Sequence, residues 1–243
     1  MNNTEKYPVS SHRLTTWIQC PRKLYFYLEN YPRKPVERKY IDTGLAVHDL
    51  LEDRVKGITG VDPLDYATKH NVPDEMMDVF DKCVENSTQF DKYIGVGIPE
   101  KTIYKDFVTP KGRQIRLQAR IDLIADNAIW DYKTGKKVDK DEYRLQGQVY
   151  HFATSNYYPV AKFISLQTND VLEVSPPPED YIPKLCDKYV DEIEKGVYPQ
   201  KQSRLCEWCE YYNYCFGKAQ FAFIDDIRAN PEEYGMVRED ADM

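Results

Sequence analysis

The chain has 243 residues, 42% of them hydrophobic, which is enough for one substantial core or a core with a small satellite. No apolar run approaches the ~18 residues of a membrane span, and the polar opening Met1-Asn-Asn-Thr-Glu-Lys lacks a signal peptide's apolar stretch, so a cytoplasmic protein is expected. A net charge of −7 argues against coating nucleic acid by bulk electrostatics, while leaving room for a local basic lining such as Lys111, Arg113, Arg116 and Arg120.

Residues 10–30 have helical spacing, with Ser10-Ser11 as a cap and Leu14, Trp17 and Ile18 on one side. Pro21 cannot continue that helix but suits the first turn of another, so a kink is expected at Cys20, followed by a helix from Arg22 to Glu29. Tyr31 to Tyr40, with two prolines and five charged residues, reads as a linker. A helix over Thr43 to Val55 places Gly44, His48, Leu51 and Val55 on one face. A lone histidine on such a face is more often a hydrogen-bonded core residue than a ligand. Further helices are expected over residues 63–69 and 73–93.

From Ile98 the pattern changes to strands, first Glu100 to Val108. The next strand sends Ile115, Leu117, Ala119, Ile121 and Leu123 to one face and Arg116, Gln118, Arg120 and Asp122 to the other. Asp126-Asn127 tolerate positive φ and suit the centre of a two-residue hairpin turn. That turn pairs Ala125 with Ala128 and Leu123 with Trp130, and it sets Asp122 opposite Asp131 with Cβ atoms roughly 5 Å apart. Like charges so placed destabilise a sheet unless a divalent cation lies between them, and carboxylate oxygens are the ligands that Mg²⁺ and Mn²⁺ prefer. Lys133, two residues beyond Asp131, shares its face.

Residues 141–157 return to helical spacing, with Gln146 and Tyr150 on one face. Strands are expected over 160–167 and 171–174, and a helix over 179–195 follows the triple proline Pro176-Pro177-Pro178. After Asp225 the chain is acidic and poor in apolar residues, and a loosely held tail over 226–243 is expected. The expected class is α/β (α+β), with a central mixed sheet flanked by helices in a single domain over residues 1–225. Within it, 11–97 form a helical part, 98–175 the sheet core, and 176–224 a C-terminal helix and cysteine segment.

That segment is Cys206-Glu-Trp-Cys209-Glu-Tyr-Tyr-Asn-Tyr-Cys215. Three thiolates at these spacings can reach one small metal centre, and Cys20 at its kink is the best-placed fourth. Zinc and iron-sulfur both accept four cysteines. Cys83 and Cys186 fall in helical stretches and read as ordinary buried thiols.

The set Cys20-Pro21, Gly44-x-x-x-His48, Asp122, Asp131-Tyr132-Lys133, Gln146-x-x-x-Tyr150 and Cys206-x-x-Cys209 with Cys215 resembles the PD-(D/E)XK nucleases. The likeness is to their RecB-like iron-sulfur branch, typified by the CRISPR-associated exonuclease and the AddB nuclease domain. It implies a restriction-endonuclease-like fold and a Mg²⁺- or Mn²⁺-dependent DNA exonuclease acting on single strands or ends in recombination, repair or CRISPR adaptation. It further implies metal held by His48, Asp122, Asp131 and the Tyr132 carbonyl, catalysis by Asp122, Asp131 and Lys133, and DNA positioned by Gln146 and Tyr150. A [4Fe-4S] cluster on Cys20, Cys206, Cys209 and Cys215 is implied too, with zinc as the alternative. Position 131 is Asp where many members have Glu. No G-x-x-x-x-G-K-S/T motif is present, so a helicase, like recombination or CRISPR adaptation proteins, would be a partner; self-association is also open. The competing reading is a non-catalytic iron-sulfur or zinc module that docks DNA ends within a larger complex.

Overall fold

A computed structural model describes residues 6–35, 37–138, 140–222 and 224–236. The single domain expected over 1–225 is organised as two compact units, each built from two chain segments: residues 1–12 with 38–188, and residues 13–37 with 189–243.

The first element among the described residues is a strand that sequence periodicity missed, β1 (Tyr7–Ser10), too short to show alternation. It runs into α1 (Ser11–Gln19), and α2 (Pro21–Leu28) begins at the expected proline, with Cys20 as its extended N-cap. After the linker come α3 (Lys39–Val55), α4 (Pro63–Lys69) and α5 (Met77–Ser87); the single helix expected over 73–93 is α5 flanked by two 3₁₀ turns. The strands β2 (Ile98–Val108), β3 (Gln114–Ala125) and β4 (Ala128–Lys133) follow. Next are α6 (Asp141–Ala153), β5 (Ala161–Ser165), β6 (Val171–Val174) and α7 (Tyr181–Lys195).

The first unit carries a mixed six-stranded sheet in the order β1-β3-β4-β5-β6, with β2 on the other edge of β3. The hairpin turn forms as its residues require: Asp126 and Asn127 have φ of 50° and 54°, and the ladder runs Ala125↔Ala128, Ile124↔Ile129, Leu123↔Trp130. There it stops. β1 pairs in parallel with Ile115 to Gln118 on that same edge, because β2 fills the opposite one. Among the described residues, positions 119–122 of β3 therefore face a gap between β1 and β4. Asp122 lies at the end of that gap, and β4 leaves β3 to pair in parallel with β5.

The alternation of β3 buries Leu123 beside Val47, Leu50 and Leu51 of α3, Phe80 of α5, and Phe90, Tyr132 and Ile164. α6 lies against β5 and β6 through Gly147, where an added Cβ would sit 2.9 Å from Val174 Cβ and 3.0 Å from Phe163 Cε2. The missing side chain thus sets the height of α6 and fixes where Gln146, one residue earlier, and Tyr150 reach.

The second unit has its own aromatic core of Phe26, Tyr211, Tyr214, Ala219, Ile227 and Met236, contributed by α2, α8 (Tyr212–Phe216), α9 (Ile224–Ala229) and their flanking turns. The expected loose tail after Asp225 is corrected for residues 226–236: Ile227, Pro231 and Met236 are buried, so these few apolar side chains suffice to fold an otherwise acidic stretch. Residues 237–243 of that expected tail lie outside the described residues.

Candidate active site

α3 turns its apolar stripe of Val47, Leu50, Leu51 and Val55 into the core and carries His48 at the edge of that stripe. His48 Nδ1 lies 3.6 Å from Asp122 Oδ2 and 3.9 Å from Glu100 Oε1. One imidazole nitrogen and two carboxylate oxygens from these three residues all fall within 4.8 Å of one another. Glu100 is held from behind by Arg120, whose Nε donates to Oε2 at 2.5 Å.

The face-to-face pairing expected for Asp122 and Asp131 does not form as a ladder pair. Instead Asp122 Oδ2 accepts a 2.7 Å hydrogen bond from the backbone N–H of Tyr132. The side chain thus occupies the place of a strand partner where the strands part, and the donor satisfied is one that β3 leaves open. The Tyr132 ring turns into the core against Phe90, 4.8 Å between centroids.

Asp131 is 2% exposed. Its Oδ1 forms an ion pair with Lys133 Nζ at 2.5 Å without a directed hydrogen bond. Its Oδ2 accepts from Tyr150 OH at 2.7 Å and from Gln146 Nε2 at 3.1 Å. Gln146 Nε2 also donates to Tyr150 OH, and Lys133 Nζ donates to Gln146 Oε1 at 3.3 Å. The Lys133 ammonium lies over the Tyr143 ring, 4.6 Å from its centroid, and Tyr143 stacks on Phe163. Tyr150, expected to position DNA, is 1% exposed with its ring parallel to Phe163, and its hydroxyl is turned to Asp131.

These contacts set the protonation states. Burial alone would push the His48 imidazolium down, but Asp122, then Glu100 and Asp131, outweigh it and raise His48 to about 9. Burial and the Asp131 charge raise Asp122 well above the usual carboxylate range. Burial disfavours the Lys133 ammonium, but Asp131 and Asp122 hold its pKa above the ordinary lysine value.

A family model described as the PD-(D/E)XK nuclease superfamily matches residues 8–216. The chain belongs to the PD-(D/E)XK nuclease superfamily. Its fold is similar to that in the crystal structure of SSO0001, with a TM-score of 0.50 and 14% identity over 88% of each chain. A search of curated proteins finds no match. Asp131-Tyr132-Lys133 is the segment whose sequence resembles the superfamily's D-x-K element, and members of the superfamily use divalent metals. The His48, Glu100 and Asp122 donors fit such an ion, since two carboxylates and an imidazole are ligands for a hard or borderline divalent cation. From sequence, Glu100 matches only loosely an acidic residue that some members of the resembled family carry on the first strand, and it was not assigned a role. Extending the β2–β3 register through Pro99↔Leu123 and Lys101↔Ile121 places it opposite Asp122, and that register was the available signal.

All six cysteines are free thiols. Burial pushes Cys83 and Cys186 up to about 12, as suits inert core residues. In the second unit Cys20 caps α2, Cys206 lies within a 3₁₀ turn that Cys209 closes, and Cys215 lies in α8. Burial raises the Cys215 thiol, Arg22 opposes it, and Cys20, Cys209 and Cys206 raise it further, so each of the three acts on Cys215 electrostatically. No three cysteine sulfurs among the described residues come within 4.8 Å of one another, so the expected four-cysteine centre is not drawn closed. In the described residues, no helix is long and apolar enough to cross a membrane.

Proposed function

We propose that the protein is a Mg²⁺- or Mn²⁺-dependent deoxyribonuclease that hydrolyses phosphodiester bonds from the ends of DNA, with single strands as the favoured substrate. The observation that carries this reading is the juxtaposition of the His48, Glu100 and Asp122 donors with an Asp131–Lys133 ion pair held by Gln146 and Tyr150. A bound divalent cation supplies neutralising charge to the phosphate and lowers the pKa of a water. His48, Asp122, Asp131 and the Tyr132 carbonyl would hold it, with Glu100 offering a further carboxylate next to His48. Asp131 keeps Lys133 charged and aimed, and Lys133 orients the attacking water. Gln146 and Tyr150 fix Asp131, so the helix named for DNA contact acts through the carboxylate.

With no phosphate-cradling motor motif in the sequence, unwinding falls to a helicase or another recombination, repair or CRISPR adaptation protein. The test is Mn²⁺-dependent cleavage of labelled linear, end-blocked and circular single-stranded DNA. Linear strands should be degraded and circles spared. Nicked circles would make the enzyme an endonuclease, and an inert wild-type chain would favour an end-docking module.

We further propose that Cys20, Cys206, Cys209 and Cys215 hold a [4Fe-4S] cluster. Three of these cysteines fall within ten residues of one another and Cys20 caps α2 in the same compact unit, and four thiolates suit either an iron-sulfur cluster or zinc. Anaerobically purified protein should be brown, with broad absorbance near ~400 nm that Cys215→Ser bleaches. A colourless, zinc-rich preparation would replace iron with zinc.

A further inference from the structure

The second unit holds an open cavity of about 530 Å³, bordered by Phe26 of its aromatic core. Its size falls within the range of about 300–1,000 Å³ that small-molecule sites occupy. Cavities that a fold leaves empty are lined by apolar side chains, whereas this one is also lined by Arg22, Gln220 and the tyrosines Tyr25, Tyr31 and Tyr198. Arg22 stands half-buried in the first turn of α2, and its Nε donates to the Tyr198 carbonyl at 3.4 Å. Among the described residues no carboxylate lies within 4.0 Å of its guanidinium, so its terminal nitrogens hold a positive charge beside the cavity without a counter-ion. The Tyr25 ring lies 5.0 Å from that of Tyr198 and 5.6 Å from that of Tyr31, at 35° and 55°. Neither contact is parallel, so neither neighbour covers the Tyr25 face squarely. The Tyr25 and Tyr31 hydroxyls are 3.3 Å apart, and burial, then the bond to Tyr25, raises Tyr31 to about 12, so that its proton stays on at neutral pH. Glu29 is a carboxylate whose charge acts on Tyr31 and Tyr198, and Arg228 opposes it at Tyr31.

We propose that this cavity binds one nucleotide of single-stranded DNA, its base stacked against Tyr25 and Tyr198 and its phosphate held by the terminal nitrogens of Arg22. A flat base a few bonds from an anionic oxygen uses both features. An apolar ligand would leave the guanidinium unpaired, and inorganic phosphate would leave the rings unused. The site shares no residue with the cation donors. That its nucleotide belongs to a DNA strand rests on the nuclease reading.

The test is titration of the full chain, in chelator so that nothing is cut, with a labelled thymidine tetranucleotide, an abasic tetranucleotide and free dAMP. Tyr25→Leu and Tyr198→Leu keep bulk without an aromatic face and should weaken the thymidine strand about 5–100-fold, while Tyr25→Phe binds like wild type. Arg22→Met should weaken it about 10-fold and lower the slope of log K against log salt by about 0.7. The abasic strand should respond to Arg22→Met and be indifferent to Tyr25→Leu, a split that a merely structural tyrosine would not produce. If dAMP alone follows these residues, the cavity holds a free mononucleotide and the strand part of the inference falls. Thymidine-strand and dAMP binding unchanged in Arg22→Met and in both leucine variants overturns it altogether. Mn²⁺-dependent cleavage by wild type, measured in parallel, decides the nuclease reading separately: an inert wild type removes that reading while the dAMP titration still decides the cavity.

Discussion

Asp131→Asn is expected to cut Mn²⁺-dependent cleavage on the order of 10³-fold, about 4 kcal/mol of transition-state stabilisation, while leaving a folded protein. The carboxylate does two things at once. It balances the Lys133 ammonium at 2.5 Å, and it receives both Tyr150 OH and Gln146 Nε2 on its other oxygen. Asparagine keeps one acceptor for that network but loses the charge that keeps Lys133 protonated and aimed. Removing one partner of a buried ion pair leaves the other uncompensated, and because Lys133 is 20% exposed the stability loss should be a discounted ~1–3 kcal/mol. Asp131→Asn/Lys133→Met should recover much of that stability and none of the activity. Single-turnover rates and chemical denaturation of the three variants separate the two effects. Near-wild-type cleavage by Asp131→Asn would remove Asp131 from the chemistry.

The apparent affinity for Mn²⁺ should rise about tenfold per pH unit between pH 7 and 9, and more steeply below. The sign follows from the proton that must leave. His48 is raised to about 9, so at neutral pH roughly one molecule in a hundred presents a free imidazole, and binding is weakened about 100-fold. Asp122 is also raised, which adds a second competing proton at lower pH. Without metal the trend in stability runs the other way. A His pKa above its unfolded value contributes stability that is fully present below pH ~6.5 and lost as pH climbs through about 9, and the raised Asp122 acts in the same direction. Melting temperature should therefore fall with pH in chelator, while the gain on adding Mn²⁺ grows. Replacing His48 by asparagine should flatten the binding profile; an unchanged slope in that variant would take His48 out of the metal site.

Much of the catalytic strand pair was legible because its residues carry local rules. Asp126-Asn127 needed two positive φ values, which fixed the hairpin register and with it the level of Asp131, and Pro21 fixed the break before α2. What periodicity does not encode is where a ladder ends. β3 and β4 separate after Leu123↔Trp130, so Asp122 bonds to a backbone N–H in place of facing Asp131 across the sheet. The i, i+4 spacing of Gln146 and Tyr150 showed that they share a face without saying that Tyr150 is buried on it. Glu100 offered only a loose likeness to a first-strand acid, and its left-handed backbone is not written in its residue type.

The two-segment make-up of the second unit has a consequence during synthesis. Phe26 on α2 finds its aromatic neighbours Tyr211 and Tyr214 only after roughly 185 more residues have left the ribosome, ~10–40 s at 5–20 residues per second. By then every strand of the sheet has been made, so the nuclease core can form while the first two helices still wait for their partners. The cysteines share that schedule: Cys20 emerges well before the other three, and the proposed centre, which needs all four, can assemble only once Cys215 has been made.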